Sequence, residues 1–386
     1  MQKIRMGMVG GGQGAFIGAV HRIAAQLDNE IELVCGAFSS TAEKSIASGK
    51  MLMLNEERCY ADFDTMFTAE AKLPAEHRMQ FVVIVTPNHM HFPAAKAALE
   101  HGFHVLSDKP ATLNLNEVKA LKKIVDDTGL LYGLTHTYTG YPMVKEAQTL
   151  VANGEIGKVR KVIVEYVQGW LSEAQNTDNK QAEWRTDPSR SGISGCMGDI
   201  GSHAANLVEY VTGKEITHVC AELTAFVEGR CLDDDGIVLL KMQDGIKGTL
   251  QASQIAAGEE NNLTIRVYGE TGGLEWRQQE PNTLTLKYLD KSMQVLRTGG
   301  MHNERTAANT RTPMGHPEGY LEAFANIYGS FAHAVRDVEN GEYNATKDYD
   351  FPDVNKGVRG MALVESFVNS SNQDTKWYNL AQLLAD

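Results

Sequence analysis

The chain has 386 residues, 36 Lys and Arg against 49 Asp and Glu for a formal charge of −13, 42% hydrophobic residues and only 10 prolines. At about 100–200 residues per domain this is a globular chain of two or three domains, which excludes disordered and fibrous classes. An acidic balance with no basic run argues against nucleic acid as a partner, because phosphate contacts need a surplus of Lys and Arg.

The five cysteines, Cys35, Cys59, Cys196, Cys220 and Cys231, form no C-x-x-C pair, so they are expected to be reduced thiols of a cytoplasmic protein. No apolar run reaches the roughly 18 residues of a membrane span, and the first residues lead straight into a strand pattern rather than a signal peptide.

In chain order, strands are predicted at Ile4–Val9, Ile31–Phe38, Phe81–Val85, His104–Leu106 and Leu131–Leu134. Amphipathic helices are predicted at Phe92–Glu100 and Asn116–Asp127. Alternating strands and helices predict a parallel sheet wound by crossovers, and the unbroken apolar run Phe81–Val85 predicts burial on both faces. After about Thr139 the pattern changes. A helix over Pro142–Ala152, with proline in its first turn and Asn153-Gly154 at its end, precedes strand patterns at Val159–Val167, Val219–Val227, Gly236–Met242, Lys247–Ile255, Leu263–Tyr268, Gly273–Arg277, Leu284–Tyr288 and Met293–Leu296. Short turns such as Gln243-Asp244-Gly245 imply antiparallel neighbours. Helices over about Pro317–Glu339 and Pro352–Asn369 close the chain. The expected architecture is α/β: an N-terminal Rossmann dinucleotide-binding domain over 1–138 and a C-terminal α+β domain over 139–386, with a large, mostly antiparallel open sheet.

The first strand runs into Val9-Gly10-Gly11-Gly12-Gln13-Gly14-Ala15-Phe16 and a helix pattern. Glycine is needed where a backbone turns tightly and approaches a pyrophosphate at a helix N-terminus. Gly10 and Gly12 supply the first two positions of the dinucleotide fingerprint. The third is open between Ala15, at the regular spacing, and Gly18, which needs three inserted residues. Gln13 and Phe16 belong to the same turn. At the end of the second strand, where an acid would bind the ribose of NAD, stand Ser39 and Ser40, with Lys44 nearby. A hydroxyl and a cation suit a 2′-phosphate, so NAD and NADP both remain open.

Three further stretches carry chemistry: Thr86-Pro87-Asn88-His89-Met90-His91, Asp108-Lys109-Pro110, and Gly198-Asp199-Ile200-Gly201-Ser202-His203. Hydride transfer from a secondary alcohol needs a base for the hydroxyl proton, and imidazole titrates nearest neutrality. A cation such as Lys109 stabilises developing alkoxide. Taken alone, an Asp-x-x-x-His pair is more often a helix-surface or capping pair, and Lys-Pro is a solvated loop. His89 and His91 lack a third ligand at metal spacing, so no metal is expected.

In this order, and with the N-terminal glycines, the stretches make the chain resemble the glucose-fructose oxidoreductase and inositol dehydrogenase (Gfo/Idh/MocA) family over almost its whole length. That resemblance implies an NAD(P)-dependent dehydrogenase of sugars or polyols. It implies Lys109, Asp199 and His203 as catalytic residues, with Asp108 standing where the family's Glu-Lys-Pro motif has glutamate. It further implies Thr86, Pro87, Asn88, His91 and Asp108 beside the cofactor, and Tyr138, Trp184, Arg185 and His316 around the sugar. Two other classes share the framework: a glycosidase that oxidises its substrate transiently, and a non-catalytic dinucleotide sensor. An antiparallel sheet face exposed to solvent implies a homodimer or homotetramer.

Overall fold

The computed structural model describes residues 2–174, 180–300, 303–344, 347 and 349–385. The chain divides into two compact units, Met1–His136 with Phe324–Val358, and Thr137–Ala323 with Arg359–Asp386. The segment Phe324–Val358, which chain order assigned to the second domain, packs with the first, so each unit is built from two stretches of chain.

In the first unit β1 (Ile4–Gly10), β2 (Ile31–Ala37), β3 (Phe81–Val85), β4 (His104–Ser107) and β5 (Tyr132–Leu134) form one parallel sheet in the order β2-β1-β3-β4-β5. Outside β2 a lone parallel bridge joins Gly36 to Cys59. It stands where a dinucleotide-binding sheet has a further strand, which recovers the order 3-2-1-4-5-6. Every residue of β3 is buried. Each such valine or isoleucine contributes about 1.5–3 kcal/mol of burial, which explains the unbroken apolar run.

Helices Phe16–Gln26, His91–Glu100 and Leu115–Thr128 follow the predicted pattern. The last is fixed at both ends: the Asn114 side chain accepts from Glu117 N, and Gly129, at φ 67°, takes the left-handed turn that ends it. Helix Ala42–Met51 escaped prediction because its buried face is Ser45, Ser48 and Gly49, with no apolar stripe to read. Helix Phe63–Glu70, capped by Asp62, was also unread.

The second unit holds β6 (Lys161–Val167), β7 (Ile216–Thr224), β8 (Asp235–Met242), β9 (Lys247–Ser253), β10 (Asn262–Tyr268), β11 (Gly272–Arg277), β12 (Thr283–Tyr288), β13 (Gln294–Arg297) and β14 (Tyr378–Asn379). They form one sheet in the order β13-β12-β11-β10-β6-β9-β8-β7-β14, antiparallel except for the pair β6 and β9. Helices Pro142–Ala152 and Ser202–Thr212 pack on it. The Ser370 and Ser371 hydroxyls accept from Ala221 N and Leu223 N, covering part of the β7 edge. Buried Glu209 takes a bidentate pair from Arg359 and tethers the returning chain. Among the described residues no helix is long and apolar enough to cross a membrane.

Candidate active site

The first unit supplies a glycine turn. Gly10 and Gly11 adopt φ of 82° and 68°, open only to glycine at low cost. A Cβ on Gly10 would lie 2.9 Å from the Val85 carbonyl, and one on Gly12 2.6 Å from the Phe38 carbonyl. Gly12 is therefore required for packing against the end of β2 as much as for approach to a ligand. The open third position is answered by contact: a Cβ on Gly18 would meet Gly11 O, Cα and C at 2.3–2.7 Å. Gly18 carries the close approach of helix to turn, whereas Ala15 is the N-cap residue of that helix.

Two serines and an arginine that the motif reading missed brace the turn. Ser48 Oγ accepts from Gln13 N at 3.1 Å and donates to Lys44 O, and Ser45 Oγ accepts from Phe38 N. Arg22 donates to Gly11 O at 2.7 Å. Ser39 is half-buried at the strand end, while Ser40, Lys44, Gln13 and Phe16 are exposed.

Beyond β3, Pro87 leads into a 3₁₀ turn, Asn88–Met90, with Asn88 buried. His91 corrects the expectation of a cofactor contact. It is 1% exposed, and its ring nitrogens lie 2.6 Å from Pro110 O and 2.9 Å from Thr86 O. Both ring nitrogens face main-chain carbonyls, one of which accepts from the imidazole N–H, so His91 sits between the loop after β3 and the loop after β4 rather than turned toward a ribose. Burial lowers its pKa, against the carbonyls and Asp108.

The loop after β4 carries Asp108 and half-buried Lys109. Asp108 Oδ1 accepts from Lys109 N at 2.8 Å and from the Thr135 hydroxyl at 3.0 Å. Burial pushes its carboxyl up, but His21, Lys109 and His91 more than reverse this and hold it well below the usual carboxylate range. Asp108 is thus a fixed anion that orients the main chain at Lys109.

In the second unit Asp199 lies in a π-helical turn, Met197–Gly201, that runs directly into helix Ser202–Thr212, with buried His203 in its first turn. The spacing of four therefore keeps both residues at one helix start. The turn is capped from a distance. Asp233 accepts from Ser194 Oγ, Gly195 N and Met197 N at 2.8–2.9 Å, and its carbonyl accepts from Cys196 N. Burial pushes the Asp233 carboxyl up despite these donors.

Asp199 Oδ2 accepts from Arg185 Nε at 3.1 Å and Gln254 Nε2 at 2.9 Å. Arg185 in turn stacks over half-buried Trp184 at 4.3 Å. Predicted Trp184, Arg185 and Asp199 thus form one connected group, with Trp184 packed on the arginine. The Tyr138 ring meets His203 edge-on at 4.8 Å. Its hydroxyl bonds the Tyr166 hydroxyl, both bond Asn261, and Gln168 Nε2 donates to Asn261 Oδ1 at 2.6 Å. Burial raises both phenols, so they remain protonated donors at neutral pH. Tyr166, Gln168, Asn261 and Gln254 were missed because strands far apart in sequence assemble them. His316 lies exposed in the loop before helix Tyr320–Glu339, beside Pro313 O at 3.3 Å. The aromatic ring from that stretch near Tyr138 is Tyr320, at 6.5 Å.

Residues 4–136 match the family model described as an oxidoreductase family with an NAD-binding Rossmann fold, and residues 144–275 match the GFO/IDH/MocA C-terminal domain. An uncharacterized oxidoreductase of Bacillus subtilis, YfiI, is 32% identical over 97% of this chain and 96% of its own length. The chain belongs to the Gfo/Idh/MocA oxidoreductase family. Among solved structures, an oxidoreductase from Sinorhizobium meliloti is similar at TM-score 0.88 and 44% identity, covering 98% of this chain and 100% of that one. An inositol dehydrogenase homologue from Azotobacter vinelandii, complexed with NAD+, has TM-score 0.94 and 34% identity over 98% of this chain and 97% of that one. Its complex with NADH and myo-inositol has TM-score 0.90 and 32% identity over 98% of each.

The residues of this Gfo/Idh/MocA member fit the dinucleotide its fold binds. Side chains are excluded at Gly10 and Gly11, so the backbone can meet a pyrophosphate. The first turn of helix Phe16–Gln26 holds no acid to oppose an anion at its N-terminus. Thr86 Oγ1, next to Gly10, is buried with no hydrogen-bond partner among the described residues. A bound dinucleotide would satisfy that hydroxyl.

Proposed function

We propose that the protein is a dehydrogenase that oxidises a secondary hydroxyl of a sugar, glycoside or cyclic polyol with NAD or NADP. The observation that carries this reading is the surrounding of His203. A buried imidazole lies edge-on to Tyr138 among linked hydroxyl and amide groups that suit a polyhydroxylated ligand, four residues after a tethered carboxylate. The inositol dehydrogenase homologue, solved with NADH and myo-inositol, supports the same class.

The dinucleotide supplies the hydride acceptor. His203 takes the hydroxyl proton, and burial of Nδ1 assigns that uptake to Nε2. Lys109 donates to the developing alkoxide oxygen, and Asp108 keeps its main chain oriented. Asp199, held by Arg185 and Gln254, fixes the start of the His203 helix and accepts a substrate hydroxyl. Gly10, Gly12, Gln13, Ala15, Phe16, Ser39, Ser40, Lys44, Thr86, Pro87 and Asn88 would hold the dinucleotide, and Tyr138, Trp184, Arg185 and His316 the sugar. A panel of inositols and sugars with each cofactor, read at about 340 nm where reduced nicotinamide absorbs, tests the reading. Reduced cofactor formed in proportion to an oxidised sugar supports it; glycoside cleavage without net reduction, or binding without turnover, overturns it.

The sheet supports a homodimer or homotetramer. Ile237 and Leu239 of β8 alternate outward, 50% and 42% exposed, and the row of Leu239 continues through Thr249 to Ile163. Buried, unpaired thiols at Cys35, Cys59 and Cys196 suit the cytoplasm.

A further inference from the structure

His21 is fully buried on helix Phe16–Gln26, three residues and so one turn after Gly18. Its Nδ1 lies 2.8 Å from the Tyr328 hydroxyl, and its ring packs edge-on to Phe324 at 4.9 Å and Tyr328 at 5.9 Å. Nε2 faces Asp108 Oδ2 at 3.8 Å and has no hydrogen-bond partner among the described residues. That separation exceeds a hydrogen bond, so the contact is electrostatic. Tyr328 is also buried and its phenol stays protonated; with a carboxylate facing Nε2, the ring hydrogen belongs on that nitrogen, so Nδ1 accepts from the phenol. The imidazole is then the tautomer with hydrogen on Nε2, directed at the carboxylate. A buried donor with no other partner among the described residues, aimed at a half-buried anion, is a costly arrangement for packing alone.

Asp108 is the anion that receives the main chain of Lys109 on its other oxygen. We propose that His21, backed by Tyr328, is a positioning residue that holds the Asp108 carboxylate, and through it Lys109, from the helix that follows the cofactor turn. The proposal rests on the role given to Lys109 above, but its geometry lies wholly within the first unit. The ring touches neither substrate nor cofactor in this account; it acts through Asp108.

The experiment compares His21→Phe, His21→Gln and Tyr328→Phe in the full-length protein. Glutamine keeps an N–H near the place of Nε2, and Tyr328→Phe removes one hydroxyl without changing the core volume. The first readout needs no substrate: the rate at which an amine-reactive reagent labels Lys109, followed by mass spectrometry, with exposed Lys96 as internal control. His21→Phe is expected to change Lys109 labelling at least about threefold and leave Lys96 unaffected. On whichever substrate the wild-type protein turns over, kcat should fall on the order of 10- to 100-fold with KM nearly unchanged, since small misplacements of a reacting group act on rate. His21→Gln should restore most of both. Long-range ¹⁵N correlation spectra should show the Nε2–H tautomer in the wild type and lose that preference in Tyr328→Phe, which also carries the test if His21→Phe does not fold. Unchanged Lys109 labelling in folded His21→Phe, or an Nδ1–H tautomer in the wild type, would overturn the proposal. If no sugar or polyol is oxidised, the functional reading fails while the labelling and tautomer arms still decide the role of His21.

Discussion

Gly18→Ala isolates the contact that completes the glycine turn. The added Cβ would lie 2.3–2.7 Å from three backbone atoms of Gly11. Reaching ordinary carbon contact requires the turn to retreat by about 1 Å, and backbone cannot yield as a flexible side chain can. Overpacking of this kind costs about 1–3 kcal/mol of stability. A shift of about 1 Å at a ligand-positioning turn should raise the dissociation constant for NADH at least about tenfold, or 1.4 kcal/mol. Gly14→Ala is the control. Its Cβ would meet nothing within 4 Å, although φ is 83°, so it carries only the left-handed strain of about 1–2 kcal/mol. A fluorescence titration with NADH and a thermal melt on both variants and Ala15→Gly measure the difference. Gly18→Ala should lose affinity out of proportion to its melting temperature, and Ala15→Gly should bind nearly as the parent does. Wild-type affinity in Gly18→Ala would refute the reasoning and return the third position to Ala15.

His104 is buried, with Nδ1 accepting from Leu131 N, and burial lowers its pKa to about 4. The unfolded chain, with an ordinary pKa near 6.5, binds the proton first, so stability is lost as pH falls from about 6.5 to about 4. His104→Asn keeps an acceptor for Leu131 N and should flatten this dependence by up to about 3 kcal/mol in denaturant titrations across that window; an unchanged slope would exclude His104 as its source. Ser39→Asp should lower affinity for NADP more than for NAD, read as paired dissociation constants, whereas equal losses would mean that the end of β2 does not read the 2′ position. Light scattering at micromolar concentration should give a dimer or tetramer mass, and Leu239→Lys should shift it downward; a monomer mass for the wild type contradicts the proposed assembly.

The plan of one parallel and one mostly antiparallel sheet was legible because its signals are local. The buried apolar run of β3 and the Asn114 and Gly129 ends of helix Leu115–Thr128 each sit within one element. What escaped depends on distant chain. Helix Ala42–Met51 buries serines, whose purpose appears only when Ser48 meets Gln13 N. Phe324–Val358 returns to the first unit because residues such as Phe331 pack on Phe81, at 5.4 Å between ring centres, and no periodicity announces a partner 250 residues away. The same limit hid Asp233, which caps the turn carrying Asp199, and Asn261 and Gln168, which join the Tyr138 and Tyr166 hydroxyls. His91 was misjudged because its motif neighbours flank a cofactor site, while its own two nitrogens turn inward to carbonyls.

The central claim is that His203 moves the hydroxyl proton and Lys109 stabilises the oxygen left behind. Steady-state oxidation of the best substrate from the sugar and polyol panel, by wild type, His203→Ala and Lys109→Ala, tests it most directly when paired with NADH dissociation constants. The account predicts that kcat falls by about 10² to 10⁴ in each variant while His203→Ala binds NADH as the wild type does. Near-native turnover in His203→Ala would contradict it and leave the Asp199 and His203 pair as a structural helix start.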